Sequence, residues 1–443
     1  MIIRRSLDSV LGTLSVSRRV GRRALIKLSH PPLKFPDAIG VERAGNDLRE
    51  PIAVYIHIPF CLSKCNYCDF NTYEGIESLI PSFVNALSSE IGLWGTRLSR
   101  PDVSTVFFGG GTPSYLPAGS ITLLSERLRE ATNIVPGAEV TLEANPDDVN
   151  AEKAYAWLEA GFNRISIGIQ SFDDQILHAL SRRHDSDQAR LAVATARSAG
   201  FENISIDLMF GLPNQSLTIW EDSLKRAIEL ETDHLSLYGL QIEPGTPLER
   251  DIKRGTAPTP DDDLAADMYE MAMDYLCEAG YEHYEISNWC KPGFRSRHNL
   301  AYWLNQPYLG VGPGAHSSMM DRRFANMKSP RRYISAIASA SVSDEVVDAP
   351  VEQGEIAVDF VEVTSFEMAM SETMMLGKRL SDGMRKAEFQ RRFGISMSGV
   401  YGQEISKLVS TGLVEDDGDR IRLTRHGKLL GNNAFESFII AGD

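Results

Sequence analysis

From residue 53 to about residue 240, short β-branched runs alternate with longer helical patterns, and this alternation restricts the fold more than any other feature of the 443-residue chain. Strand candidates are Ala53 to Ile58, Ser104 to Phe108, Glu139 to Glu143, Arg164 to Gly168, Asn203 to Met209 and His234 to Leu240. Helical patterns lie between them, near 79–98, 117–132, 151–160, 185–199 and 216–231. A helix between two strands carries the chain back to the end of the sheet where the first strand began, so the strands pair in parallel. The pattern predicts an α/β fold, either a six-stranded partial barrel or a doubly wound open sheet, with chemistry at the carboxyl ends of the strands.

Directly after the first strand come Cys61, Cys65 and Cys68, in a chain with only two other cysteines, Cys277 and Cys290. Three thiolates on one loop hold three irons of a four-iron cluster and leave the fourth iron open to a cofactor or substrate. A closed structural cluster takes four thiolates, and a structural zinc also takes four ligands. Zinc, with His57 as its fourth ligand, is the alternative reading. A disulfide framework belongs to short secreted chains with paired cysteines, not to a long chain with an odd count. Cys277 and Cys290 read as small buried apolar residues.

Other polar residues fall at the same strand ends. GGGTP, at 109–113, follows the second strand and lets a ligand approach main-chain amides without side-chain obstruction. Glu143 in LEANP and Asp207 in SIDLMFGLP are carboxylates suited to a ribose hydroxyl or an amino group, and Gln170 and Arg182 add an amide and a guanidinium. The net charge of −15 speaks against a polyanion partner, so nucleic acid is not the expected substrate. Residues 1–34 depart from this balance with a charge of +7. They read as an extension upstream of the domain, with a transit peptide or a lipid-touching basic arm as alternatives. Free thiols in a cluster pattern indicate a reducing compartment, the cytoplasm or an organelle matrix.

Beyond residue 241 a Pro- and Asp-rich stretch, 243–263, reads as a linker, followed by a helix to about 279. Next come HNLAYW at 298–303, the Gly-rich LGVGPGAHS, and a small helical unit whose hairpin at Asp416 to Asp419 is of winged-helix type. The acidic wing suits a packing module better than a nucleic-acid reader. The expected divisions are 1–48, 49–285, 286–365 and 366–443.

Together these residues resemble the radical S-adenosylmethionine (SAM) superfamily, whose CxxxCxxC loop matches Cys61, Cys65 and Cys68 with Tyr67 before the third cysteine. The likeness is closer to the oxygen-independent coproporphyrinogen III oxidase-like family, over roughly residues 50–440. VYIHIPFC, CDFNTY, VFFGGGTPSYL, TLEANPDD, GFNRISIGIQSF, IDLMFGLPNQ and RLTRHG carry it. The resemblance implies a partial (β/α)6 barrel with a C-terminal α+β domain, and a [4Fe-4S] cluster whose open iron chelates SAM. SAM contacts carry over to Tyr55, Tyr67, Gly110, Gly111, Thr112, Glu143, Gln170, Arg182 and Asp207. Two departures separate the chain from the decarboxylating branch: Phe70 stands where that branch has a fourth cysteine, and the segment before the first strand is short.

HNLAYW matches instead the HNxxYW motif of the haem chaperone branch. The resemblance then implies a protein that binds haem and delivers it to haem-dependent respiratory proteins, with cluster and SAM retained and an electron donor for the cluster. His298 is the implied axial ligand, Tyr302 and Trp303 lie against the porphyrin, and His316 is a second haem contact. Peripheral membrane contact through the basic leader and a homodimer complete the expectation. Porphyrinogen decarboxylation is the alternative activity.

Overall fold

The computed structural model describes residues 50–340 and 351–439; the basic segment 1–48 lies outside the described residues. Six βα units lead the chain: β1 (Ile52–Ile58), α1 (Ile80–Arg97), β2 (Asp102–Gly110), α2 (Ala118–Ala131), β3 (Asn133–Ala144), α3 (Ala151–Glu159), β4 (Arg164–Gln170), α4 (Asp174–Ala179), α5 (Ser186–Ala199), β5 (Ile204–Phe210), α6 (Leu217–Glu229) and β6 (His234–Gly239). Local chemistry sets the helix ends. Asp185 and Gln188 form a capping box at the start of α5, and Gly200 ends it at φ 115°.

Strand order decides between the two architectures. A doubly wound sheet reverses its order at a switch point, whereas β1 to β6 lie side by side in chain order and pair in parallel. Crossovers of one hand then place the helices on one face, and the sheet curls with the other face inward as a partial barrel. Alternation divides each strand between these faces. On β1, Val54, Ile56 and Ile58 pack with Phe83, Leu87 and Ile91 of α1, while Ala53 packs with Ala301, Tyr302 and Tyr308 in a separate cluster.

The segment 243–263 departs from expectation. It contains α7 (Pro247–Arg254), capped by Thr246, with proline in its first turn and a stop at Gly255, φ 75°. Its prolines and glycines read as breakers, yet they stand at the positions where helices start and end. Then follow α8 (Asp262–Glu278), β7 (Glu282–Glu285), β8 (Asn288–Cys290), α9 (Arg297–Trp303), β9 (Tyr308–Val311), β10 (His316–Met319), β11 (Arg322–Asn326), α10 (Pro330–Ser339) and β12 (Val358–Val363). β9 pairs in parallel with β1, and among the described residues the sheet has 12 strands. α11 (Phe366–Gly377), β13 (Met384–Arg385), α12 (Lys386–Phe393), α13 (Met397–Ser410), β14 (Val414–Asp416) and β15 (Arg420–Leu423) form an α+β unit with its own three-stranded sheet. Phe389, Phe393, Tyr401 and Ile421 fill its core.

Candidate functional site

At the carboxyl ends of β1 to β5 opens a cleft of about 860 Å³, counting its mouth. Cys61, Cys65, Tyr67, Cys68, Phe70, Gly110, Gly111, Thr112, Glu143, Gln170, Arg182 and Asp207 all line it. Tyr55 and His298 are not among its lining residues. Tyr55 lies inside the barrel, its hydroxyl hydrogen-bonded to His57 Nδ1 (3.0 Å) and its ring stacked on Phe107 with centroids 6.3 Å apart.

The cysteine loop is fastened at several points. Tyr73 N donates to Pro59 O (2.8 Å) and Cys61 N to Tyr73 O (3.0 Å). Thr112 Oγ1 donates to Cys61 Sγ (3.5 Å) and Arg182 Nη1 to Cys65 Sγ (3.4 Å). Asn71 ties the loop to the far side of β1, donating to Pro313 O (2.9 Å) and Lys328 O (3.0 Å). Burial raises the Cys61 thiol and pushes Cys68 up to about 11, so a positively charged metal centre is what would favour their thiolate forms. The zinc alternative is not built. His57 is engaged by Tyr55 and by Asn71 O (3.0 Å), and among the described residues no group of three or more His, Cys, Asp and Glu converges on a single-ion site.

GGGTP serves differently from its sequence reading. Its amides are spent within the protein: Gly110 N donates to Glu143 Oε2 (3.0 Å), Gly111 N to Ile58 O (2.7 Å) and Thr112 N to Phe60 O (2.8 Å). Glycine is required here by close approach. A Cβ on Gly110, which sits at φ 111°, would lie 2.5 Å from the His57 ring. The turn therefore stitches β2 to the cysteine loop and offers a ligand open space rather than donors.

Arg182 spans the floor. Its Nη2 donates to Gly168 O (2.6 Å) and, at very short range, to Asn145 Oδ1. Asn145 and Ser166 line the cleft too; their signal in the sequence was position alone, one at a strand end and one in the inward register. Gln170 adopts φ 71°, a left-handed conformation that side chains other than glycine seldom take, at the last residue of β4. Asp207 accepts from Ser166 Oγ (3.2 Å), and burial raises its carboxyl. Burial, and then the Asp207 charge, push Glu143 up to about 8. The folded ligand-free protein thus holds a proton on Glu143 that the unfolded chain, with an ordinary value near 4.5, has released. The associated stability is complete below pH 4.5 and is lost as pH rises through about 8. Glu143→Gln, which cannot ionise, is expected to melt above wild type by a margin that grows from pH 5 and levels off past about 8, as thermal unfolding will show. A margin that does not change with pH would rule this out.

HNLAYW forms α9 near the amino ends of the strands. Thr105, its partner on β2, precedes Gly110 by five residues, roughly 16 Å of extended chain. His298 is 1% exposed, with Nδ1 hydrogen-bonded to Thr105 Oγ1 (2.9 Å) and Nε2 to the Tyr302 hydroxyl (3.0 Å). Burial pushes its imidazole down to about 3, so it is neutral. Both ends of α9 are tethered from outside. Glu139 Oε2 and Oε1 accept from Arg297 N and His298 N, each at 3.0 Å. Arg392, from the C-terminal unit, donates to Leu304 O (3.1 Å) and Asn305 O (2.8 Å). An anion at the amino end and a cation at the carboxyl end both favour the helix dipole. His316 is half-buried on β10 and is not among the cleft's lining residues.

Comparison with known proteins accounts for this combination. The model of the radical SAM superfamily matches residues 55–227, and that of the HemN C-terminal domain matches 366–430. The heme chaperone HemW of Bacillus subtilis is 37% identical over 390 residues, covering 87% of this chain and 99% of that protein. The chain belongs to the HemW family of radical SAM proteins. The heme chaperone HemW of Escherichia coli is 34% identical, covering 88% of this chain and 98% of its own length. The mitochondrial radical S-adenosyl methionine domain-containing protein 1 of Mus musculus is 39% identical over 282 residues, 63% of each chain. In three dimensions the chain is similar to the coproporphyrinogen III oxidase HemN of Escherichia coli, with TM-score 0.75 and 24% identity over 88% of this chain and 90% of that one. HemW membership implies a [4Fe-4S] cluster and SAM, and the cleft fits them: three thiols face one space, beside a glycine turn that admits no Cβ.

Proposed function

We propose that this chain binds haem and transfers it to haem-dependent respiratory proteins, holding a [4Fe-4S] cluster on Cys61, Cys65 and Cys68 and SAM in the cleft beside it. The observation that carries the reading is the joint presence in one cleft of three thiols, Glu143, Gln170, Arg182 and Asp207, with Phe70 where the decarboxylating branch has a cysteine. The cluster supplies an open iron for the SAM amino and carboxylate groups and an electron from an external donor. Around it the chain's own residues act by placement. Glu143 and Asp207 accept from the ligand's amino and hydroxyl groups, Arg182 holds the cysteine loop to the floor, and Phe70, 48% exposed, gives the rim an apolar edge.

Haem ligation falls to His298, whose neutral imidazole is the ligating form. His298 is 1% exposed and stacked on Phe107, so coordination would require α9 to open and one of its two hydrogen bonds, to Thr105 or to Tyr302, to be given up for the iron. Anaerobic reconstitution followed by parallel haem titration and coproporphyrinogen assay tests the reading. One haem per chain and no protoporphyrinogen are expected; formation of protoporphyrinogen would overturn the choice in favour of decarboxylation. His298→Ala is expected to weaken haem binding by about tenfold or more, and unchanged affinity would transfer the ligand role elsewhere, with His316 first in line. Delivery is read by mixing haem-loaded protein with a haem-free respiratory protein in anionic vesicles, where failure of the haem to move would refute the transfer step.

A further inference from the structure

The barrel interior holds a cation whose Nε has no partner. Arg164 opens β4, and the same inward row carries Ser166 and Gly168, which line the cleft. Parallel register sets Arg164 beside Thr141, Ser166 beside Glu143, and Gly168 beside Asp207. Along this row the arginine therefore lies one step beneath Glu143 and two beneath Asp207. It is 2% exposed, and both its Nε and the adjacent Thr141 Oγ1 lack a hydrogen-bond partner. A buried guanidinium nitrogen without a hydrogen bond is costly unless anions compensate the charge at a distance.

Two carboxyl groups at the cleft floor feel this charge, Glu143 on β3 and Asp207 on β5. A third, Glu139, lies two residues before Thr141 on β3, where it is bonded to the amino end of α9. The other groups facing it are kept neutral by burial: His234 on β6, His298 on α9, Tyr284 on β7 and Cys290 on β8. Asp207 is faced in addition by Arg182 and Ser236, and each carboxylate acts on Tyr238 of β6, which is 42% exposed. Arg182, however, is committed to Cys65, Gly168 and Asn145. Arg164 has no such commitment at its Nε.

We propose that Arg164 is a positioning charge for the SAM site: from beneath the floor it eases the ionisation of Glu143 and Asp207 and so sets the pH at which the cleft gains its accepting carboxylates and takes SAM. This rests on the SAM reading above. Without the cation both carboxyls ionise less readily, and a protonated carboxyl is a weaker acceptor for an ammonium or a hydroxyl. The binding profile must then move toward alkaline pH.

The test is SAM binding by the full-length, anaerobically reconstituted protein across pH 6 to 9.5, in wild type, R164Q, R164M and R164K. In the neutral variants the profile midpoint is expected to rise by about one pH unit, with roughly tenfold weaker binding at pH 7 that recovers by pH 9. R164K, which keeps the charge, is expected to stay within about threefold of wild type throughout. A folded, cluster-loaded neutral variant with the wild-type profile overturns the proposal. So does a loss that is equal at all pH values in Gln, Met and Lys variants alike, including a shared failure to fold, because Arg164 is then a packing residue. Carboxyl NMR titration of the ligand-free protein needs no SAM and separates the two readings. An upward shift of Glu143 and Asp207 in R164Q, in a protein whose wild type binds no SAM, keeps the role of the charge and refutes the SAM reading instead; no shift overturns the proposal.

Discussion

Cys65→Ala is expected to leave the anaerobically reconstituted protein with roughly a tenth or less of wild-type iron, and to weaken SAM binding by about a hundredfold. Cys65 is the middle thiol of the three and the one that Arg182 touches, at 3.4 Å. Its loss removes one iron ligand and also one of the contacts by which Arg182 holds the loop against Gly168. A two-thiol loop cannot retain the cluster, and the open iron that fixes the amino and carboxylate ends of SAM goes with it. What stays behind is the polar set of Glu143, Gln170 and Asp207, whose hydrogen bonds alone give weak binding. A hundredfold corresponds to about 2.7 kcal/mol, comparable to one or two strong ligand contacts. Iron content by colorimetric assay and SAM binding by dialysis give the answer, and a Cys65→Ala protein that keeps its iron would refute assignment of the cluster to this loop.

Gly111→Ala is the second large effect, and it acts on the fold before it acts on the ligand. An added Cβ would stand 2.6 Å from Phe60 O and 2.8 Å from Ile58 O, both main-chain atoms that no rotamer change can move. The same two carbonyls accept from Thr112 N (2.8 Å) and Gly111 N (2.7 Å). Relief of the clash therefore lengthens both bonds and pushes the cysteine loop away from β2. Together these cost about 2–4 kcal/mol, within the range of overpacking plus disrupted buried hydrogen bonds. A matching fall in melting temperature and reduced iron uptake are expected. Gly119→Ala in the first turn of α2 is the control, since nothing lies within 4 Å of its added Cβ. Equal melting temperatures for Gly111→Ala and wild type would show that the loop is not held in this way.

Much of the site could be read in the chain because its residues are tied to strand ends. Once six apolar runs separated by helical patterns are recognised, Cys61 to Cys68, Gly110 to Thr112, Glu143, Gln170 and Asp207 must gather on one rim, whichever α/β architecture forms. Residues placed by register rather than by strand ends were harder to see. Arg164, Ser166 and Thr141 alternate with the buried apolar Ile165, Ile167, Val140 and Leu142, but a polar row reads as a solvent face until it is known which face is lumen. Tyr55 shows the same limit from the other side: one layer of barrel depth separates it from the residues that line the cleft.

HNLAYW illustrates a different limit. The hexapeptide announces a histidine and two aromatics, and one of those aromatics, Tyr302, bonds the histidine from within it, but the other hydrogen bond is to Thr105, which precedes it by 193 residues. The helix around it is tethered by Glu139 at one end and Arg392 at the other. Such contacts have no signature in local pattern, since any buried imidazole takes whatever partners the surrounding elements bring.

By itself the sequence determined the parallel α/β class, the three-thiol loop with its missing fourth ligand, and the family. All three depend on residue type and spacing along one chain, which short-range geometry translates directly. Tertiary structure alone decided that the strands close in chain order as a partial barrel and that the GGGTP amides are consumed internally. It alone also decided that His298 is buried with both nitrogens bonded and that Arg164 stands beneath two carboxylates with its Nε unpartnered. Each of these depends on which distant strands become neighbours, and that is settled by how the apolar faces pack rather than by any one segment.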